Sequence, residues 1–168
     1  MGVRTLADGR TKLILLTAKP ANPEAVTLAE AEAGIDASCQ VAKSGTRISA
    51  TASDTISDPP LCSDTNAQAF GAANYEGTLA PFWYLDPVTG AYDEADNEVY
   101  EATRNKGTTL WALLREGPRA AQELAVGDPY DLYEIVTDNP QRPSETGSYI
   151  KRNIPVAVQA AWQGEVGA

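Results

Sequence analysis

"TTLWALLREG" (Thr108–Gly117) is the stretch on which the fold class turns. Read at the two-residue period of a strand, Leu110, Ala112 and Leu114 lie on one face, and Trp111 and Leu113 on the other. A strand apolar on both sides predicts a sheet that is covered on both sides. Downstream, "PRAAQELAVGD" (Pro118–Asp128) is a connection ending in a turn, and "PYDLYEIVTD" (Pro129–Asp138) is the next strand. Upstream, "TKLILLTA" (Thr11–Ala18) is a short aliphatic run, too short for a buried helix.

The last stretch, "SYIKRNIPVAVQAAW" (Ser148–Trp162), has the clearest period. Ile150, Ile154, Val156, Val158, Ala160 and Trp162 share a face broken only by Arg152. Tyr149, Lys151, Asn153, Pro155 and Gln159 share the other. Pro155 lacks an N–H, so the strand needs an edge or a bulge there.

The intervening segments are more mixed. In "ANPEAVTLAEAEAG", Thr27 and Glu30 have capping-box spacing, which predicts a short helix over Leu28–Ala33 that stops at Gly34. "GIDASCQVA" (Gly34–Ala42) and "TRISATAS" (Thr46–Ser53) read as a hairpin turning at Lys43-Ser44-Gly45. Its second strand has Ile48, Ala50 and Ala52 on a dry face and Arg47, Ser49, Thr51 and Ser53 on a wet one. Polar, Pro-containing residues 53–73 predict a long loop with little regular structure, of the kind that is functional or disordered.

"NYEGTLAPFWYLD" (Asn74–Asp86) reads as a strand with Tyr75, Leu79, Trp83 and Leu85 on one side and Phe82 and Tyr84 on the other. "DPVTG" (Asp86–Gly90) is a turn. "DEADNEVYEATRNKG" then predicts the main helix, capped by Asp93, with Ala95, Val99 and Ala102 as its apolar stripe. The expected fold is mainly β: two packed antiparallel sheets, as a sandwich or partial barrel, with one flanking α-helix. It is expected to fill residues 1–168 as a single domain, with a long loop or arm at about 53–73.

At 168 residues with 43% hydrophobic content, the chain can bury a real core. Thirteen Lys and Arg against 23 Asp and Glu give a net charge of −10, which argues against gripping nucleic-acid phosphates or an anionic membrane. The absence of histidine removes the commonest general base, the commonest metal ligand and every His-based triad. No run of residues is apolar enough to span a bilayer. Arg4 is followed by "TLADGRTK", not by the apolar region of a signal peptide, so a cytoplasmic origin is expected.

Chemical motifs are missing as well. There is no phosphate-cradling glycine loop, nucleophile elbow or zinc spacing. The acidic cluster Asp93, Glu94, Asp96 and Glu98 lacks the ligand alternation of a calcium loop and reads as a solvated helix face. Cys39 and Cys62 read as two small buried apolar residues in a reducing compartment. Phe82-Trp83-Tyr84 reads as core or subunit contact in preference to a sugar-stacking platform. No catalytic residue, metal or cofactor is assigned.

The order "TLADGRTKLILL", "AEAGIDASCQV", "SDPPLCS", "KGTTLWALLREG" and "LAVGDPYDLYEIVTD" resembles the major tail (tail tube) proteins of long-tailed phages of actinobacteria. "LAVGDPYDLYEIVTD" and the paired "DASC" and "LCS" are the most specific parts, and the resemblance spans nearly the whole chain. It implies a structural virion protein, assembled in the host cytoplasm, that forms stacked and commonly hexameric rings. Strands from the six subunits would close one barrel around a lumen. Tape-measure protein would fill that lumen before genomic DNA passes, and a long loop would reach the adjacent ring. Tail terminator and distal tail proteins would be further partners.

With the acidic balance, this suggests Asp36, Asp54, Glu76 and Asp131 as lumen-lining residues that repel phosphate. Two other classes stay open from the residues: a soluble β-sandwich binding module for a carbohydrate or protein ligand, and a small carboxylate hydrolase.

Overall fold

The computed structural model describes residues 4–64, 68–143 and 146–168. Its elements run β1 (Thr11–Leu16), α1 (Leu28–Glu32), β2 (Ile35–Asp36), β3 (Arg47–Thr51), β4 (Thr55–Ile56), β5 (Ala69–Phe70), β6 (Asn74–Leu79), α2 (Glu98–Thr103), β7 (Thr109–Glu116), β8 (Pro129–Thr137) and β9 (Ile154–Glu165). Seven strands form one sheet in the order β2-β1-β7-β8-β9-β6-β3, while β4 and β5 pair only with each other. The chain is therefore mainly β, and its described residues form two antiparallel sheets of unequal size and no closed barrel.

The two-faced reading of β7 positions everything else. On its first face, Leu110 and Ala112 join Leu13 and Leu15 of β1, Ile135 of β8, Ile154 and Val156 of β9, Leu79 of β6, Ile48 of β3 and Val99 of α2. On its second face, Leu113 joins Ile14 and Leu16 of β1 and Tyr130 and Leu132 of β8, roofed by Val26, Ala31 and Val166. One sheet thus carries a core on each side. The chain after β2 crosses the first face and bridges Val41 to Pro81, and Phe82 bridges to Lys151, so segments continuing from opposite ends of the sheet meet over the first core.

The capping box forms as read. Thr27 Oγ1 accepts from Glu30 N, and Glu30 Oε2 accepts from Thr27 N, so α1 starts where the spacing places it. Pro155 is the second residue of β9, and its carbonyl accepts from Asp138 N just past the end of β8. The N–H it lacks would point to that same side, where the ladder has already ended.

Other expectations are corrected. Gly34–Ala42 and Thr46–Ser53 do not form a hairpin: β2 is two residues long and pairs with β1, and β3 pairs with β6. Ala37 and Val41 are spent covering the first core, which a hairpin with a wet face could not provide. On β3 only Ile48 is buried, while Ala50 and Ala52 are exposed.

The main helix is six residues long, because the buried Asn97 clamps Tyr84 instead of extending it. Its Oδ1 accepts from Tyr84 N (2.8 Å) and its Nδ2 donates to Tyr84 O (2.9 Å). Asp93 closes a local turn onto Ala95 N, and Ala95 is exposed. β6 ends at Leu79, before the aromatic triplet. The single face read along Ser148–Trp162 is broken by a register shift: Glu134 opposes Ala160 while Ile135 opposes Val158, leaving Gln159 extra. That bulge sends Trp162 to the second core, although Val156 and Val158 serve the first.

Candidate assembly surfaces

Four features of the surface lack a partner within the described chain. The first is half of a sheet face. α1 and the segment before it cover the second face only near β1 and the start of β8. Toward β3, the same face presents Thr109 of β7, Glu134 and Val136 of β8, Ala157 of β9, Thr78 and Glu76 of β6, and Ser49 and Arg47 of β3, all half-buried or exposed. Among the described residues no helix lies over them, and β3 is the last strand of the sheet, with its outer edge unpaired.

The second feature is the ribbon within residues 53–73. It was expected to hold little regular structure, and within it the two-residue strands β4 and β5 pair Thr55 with Phe70 and Ile56 with Ala69. Asn74 Nδ2 donates to Asp54 Oδ1 (2.9 Å) and to Ala52 O (3.1 Å), fixing the ribbon's base. Its apolar side chains are in water: Ile56 is 60% and Phe70 84% exposed, and Leu61 is fully exposed. Residues 65–67, also within that expected loop, lie outside the described residues.

The third and fourth are open grooves. One, of about 510 Å³, is walled by Lys43, Ser44, Phe82, Ser148, Tyr149 and Lys151. The other, of about 470 Å³, is walled by Glu24, Tyr75, Asp131, Tyr133, Trp162 and Gln163. The aromatic triplet splits between roles. Trp83 is used inside the fold, with ring centroids 4.6 Å from Tyr92 and 5.0 Å from Tyr100, and the Arg152 guanidinium 4.2 Å over its ring. Burial and a hydrogen bond to Glu101 hold the Tyr92 phenol far above its ordinary pKa, so it stays a donor there. Phe82 makes edge contacts with Tyr84 and Tyr149 and faces the first groove.

The four acids suggested for a lumen do not share a surface. Asp36 lies on the second face at the far edge of the sheet, bonded to Lys12 Nζ at 2.7 Å. Glu76 lies on the open part of that face, 3.2 Å from Arg47. Asp131 lies on the first face in the acidic groove, and Asp54 sits at the base of the ribbon. Glu134, on the open face, was missed; the period of β8 marks it, since it shares the parity of Leu132. Cys39 and Cys62 are both free and exposed, which overturns the reading of them as buried; each sits in a turn rather than in a core strand.

Lys12 is buried, and Asp36 is its only carboxylate partner among the described residues. Burial pushes the Asp36 carboxyl up, but the bonds donated by Lys12 and Ser38 outweigh it and leave its pKa below the usual carboxylate value. A lowered folded pKa means the pair stabilises the fold above the unfolded value and loses that stabilisation as pH falls through the folded one. In Asp36→Asn, the stability deficit against wild type should be widest near neutral pH and close in acid below the ordinary carboxylate range of about 4. Melting temperatures of both proteins across that range check this.

Comparison with known proteins places these surfaces in context. The family model described as phage tail tube protein matches residues 1–168. No curated protein matches the sequence. Among solved structures, a chain of the anti-feeding prophage baseplate, determined by cryo-electron microscopy with six-fold symmetrisation, is similar at a TM-score of 0.53 and 10% identity. The match covers 99% of this chain and 98% of that one, so the two share a fold along their whole lengths. With a family match over every residue, the chain belongs to the phage tail tube protein family.

Proposed function

We propose that this protein is the repeating unit of the tail tube of a long-tailed actinobacteriophage, a single domain that assembles in the host cytoplasm into six-membered rings that stack. The observation that carries this is the open half of the second sheet face, a surface of Thr, Ser, Ala and Val with Glu76, Glu134 and Arg47, over which no helix lies among the described residues. A sheet face with small side chains and a free edge at β3 suits a wall that neighbouring copies continue around a lumen.

The open face contributes Glu76 and Glu134 against Arg47, one net negative charge per copy, and the whole chain carries −10. Tape-measure protein and then genomic DNA would pass such a wall without sticking, because phosphate meets no cationic surface. Of the four acids suggested earlier, this geometry favours Glu76 for the lumen and adds Glu134. Tail terminator and distal tail proteins would meet the two ends, and the role needs no catalysis or cofactor. The six-fold symmetrised baseplate to which the fold is similar supports ring formation.

A second reading, a carbohydrate-binding module, has one observation in its favour: the groove where Tyr75, Tyr133 and Trp162 stand beside Asp131 and Glu24. Electron microscopy of the purified protein separates the two. Rings or stacks with a central hole, and no DNA binding at physiological salt, are the expected result. A monomer at every concentration, with saturable glycan binding, would replace the tube reading with the second.

A further inference from the structure

The aromatic groove of about 470 Å³ arises because β9 outruns its neighbour. β6 pairs with β9 only from Ile154 to Val156, so on that side no strand of the described residues lies beside β9 at Ala161, Trp162 and Gln163. Tyr75 of β6 and Tyr133 and Asp131 of β8 enter this notch from the first face, and Trp162 of β9 from the second. Glu24 reaches it from the segment before α1, while Ala50 and Ala161 are too small to fill it.

Shape and charge in the notch agree. The Tyr75 and Tyr133 rings are 6.3 Å apart between centroids and inclined at 68°. Rings set this steeply enclose a corner, and the face of a ring is the negative side of its quadrupole. Two carboxylates, Asp131 and Glu24, line the same groove, and no Lys or Arg does. Neither acid has a cationic partner among the described residues. Burial, and then the Asp131 charge, push the Tyr133 phenol above its ordinary pKa, so the negative field of that acid reaches the ring.

We propose that this groove binds an organic cation, a guanidinium or methylated ammonium group, between its aromatic walls and its two acids. The proposal goes beyond the tube reading and does not depend on it. The chain makes the same pairing once inside its fold, where the Arg152 guanidinium lies 4.2 Å over the Trp83 ring. A diffuse cation suits such a site because it is weakly hydrated and loses little on leaving water. A sugar would stack on the same rings, but its neutral hydroxyls would leave two carboxylates uncompensated as the groove is desolvated. The cation has one of two sources. It is an arginine of another copy, of which Arg119 and Arg142 are exposed and without a carboxylate partner among the described residues, or it is a small molecule.

The probe is choline, titrated into the unassembled protein by calorimetry at fixed ionic strength. Its control is the uncharged alcohol in which carbon replaces the nitrogen. Choline should bind saturably and about tenfold or more tightly than the alcohol, the margin expected of a partly desolvated ring contact with an acid beside it. Asp131→Asn keeps the shape of the groove and should weaken choline by roughly threefold to tenfold while leaving the alcohol unchanged. Tyr75→Leu, at an exposed position, should also weaken choline, and both variants should melt as wild type does. Choline that also blocks or shortens assemblies identifies the natural occupant as an arginine of another copy; choline that binds single chains and assemblies alike identifies it as a small molecule. No binding, or equal binding of choline and the alcohol, would overturn the site. So would maltose binding as tightly as choline and unchanged in Asp131→Asn, which would give the groove to a sugar. The tube reading is decided by the microscopy and survives the loss of this site.

Discussion

Asp128→Ala should cost about 3 kcal/mol of folding stability, toward the lower end of what removing one partner from a buried ion pair costs. Arg115 of β7 is fully buried, and its Nη1 is 3.2 Å from Asp128 Oδ2, its only carboxylate partner among the described residues. The guanidinium also donates to the carbonyls of Arg119 (2.8 Å) and Glu123 (3.1 Å), which keeps the loss from being larger.

Two features push the other way. Asp128 accepts from Ala125 N, so the turn before β8 loses a bond as well. Arg115 also stands directly across the ladder from the buried Lys12, a like-charge pair that each cation tolerates because it has its own acid. Without Asp128, Arg115 would face Lys12 uncompensated. For a chain of this size, about 3 kcal/mol lowers the melting temperature by roughly 6–12 °C. Urea denaturation of the unassembled protein checks it. A change within experimental error would mean that the two carbonyls alone hold the guanidinium.

How far the sequence reveals this fold depends on whether a signal is local. β1, β7 and β8 are legible because each is a short apolar run whose length and period need no partner to interpret, and the Thr27–Glu30 box is complete within four residues. The partner of β3 is not legible. Lys43-Ser44-Gly45 is a sound local turn signal, but pairing is decided by what else must cover the first core, and there Ala37 and Val41 are needed. The bulge at Gln159 is equally hidden: one extra residue reverses every later side chain, and glutamine carries no mark of it. α2 is short because the side chain of Asn97 binds Tyr84 thirteen residues away, while the acids before it suit a turn as well as a first helical turn.

The candidate surfaces follow the same rule. The ribbon segment is visible as an anomaly of length and polarity, but its apolar tips are not, because exposure of Ile56 and Phe70 is a property of the folded chain. The acids of a lumen cannot be sorted by sequence at all. Asp36 and Glu76 share a face and Asp131 does not, and that depends on registers set across five strand pairs.

Gly164→Ala is expected to destabilise by about 3–5 kcal/mol, combining overpacking with the loss of buried hydrogen bonds. The reason is space, not backbone freedom. A Cβ at Gly164 would lie 2.2 Å from the Glu24 carbonyl oxygen and 2.8 Å from the Tyr130 hydroxyl. Gly77 is also tight, but there the clash is with a methyl of Val156, a side chain that can yield, whereas at Gly164 it is with backbone. That backbone belongs to the segment roofing the second core. Tyr130, opposite Gly164 in the ladder, donates to Pro23 O and accepts from Val26 N, both at 2.8 Å. Gly167 N then bonds Val26 O, and Leu28 N bonds Gly167 O, closing the tail over the same segment.

An added methyl must lift this segment, and lifting it breaks both Tyr130 bonds and uncovers Val26. The two residues therefore act through one element, and their effects should not add. Tyr130→Phe alone should cost about 1–3 kcal/mol by leaving Val26 N and Pro23 O unpaired. On that background the segment is already loosened, so Gly164→Ala should cost less than it does in wild type, by about 1–2 kcal/mol in a double-mutant cycle. Strict additivity would place the clash elsewhere, in the β8–β9 ladder itself, and would mean the roof over the second core yields without losing its bonds.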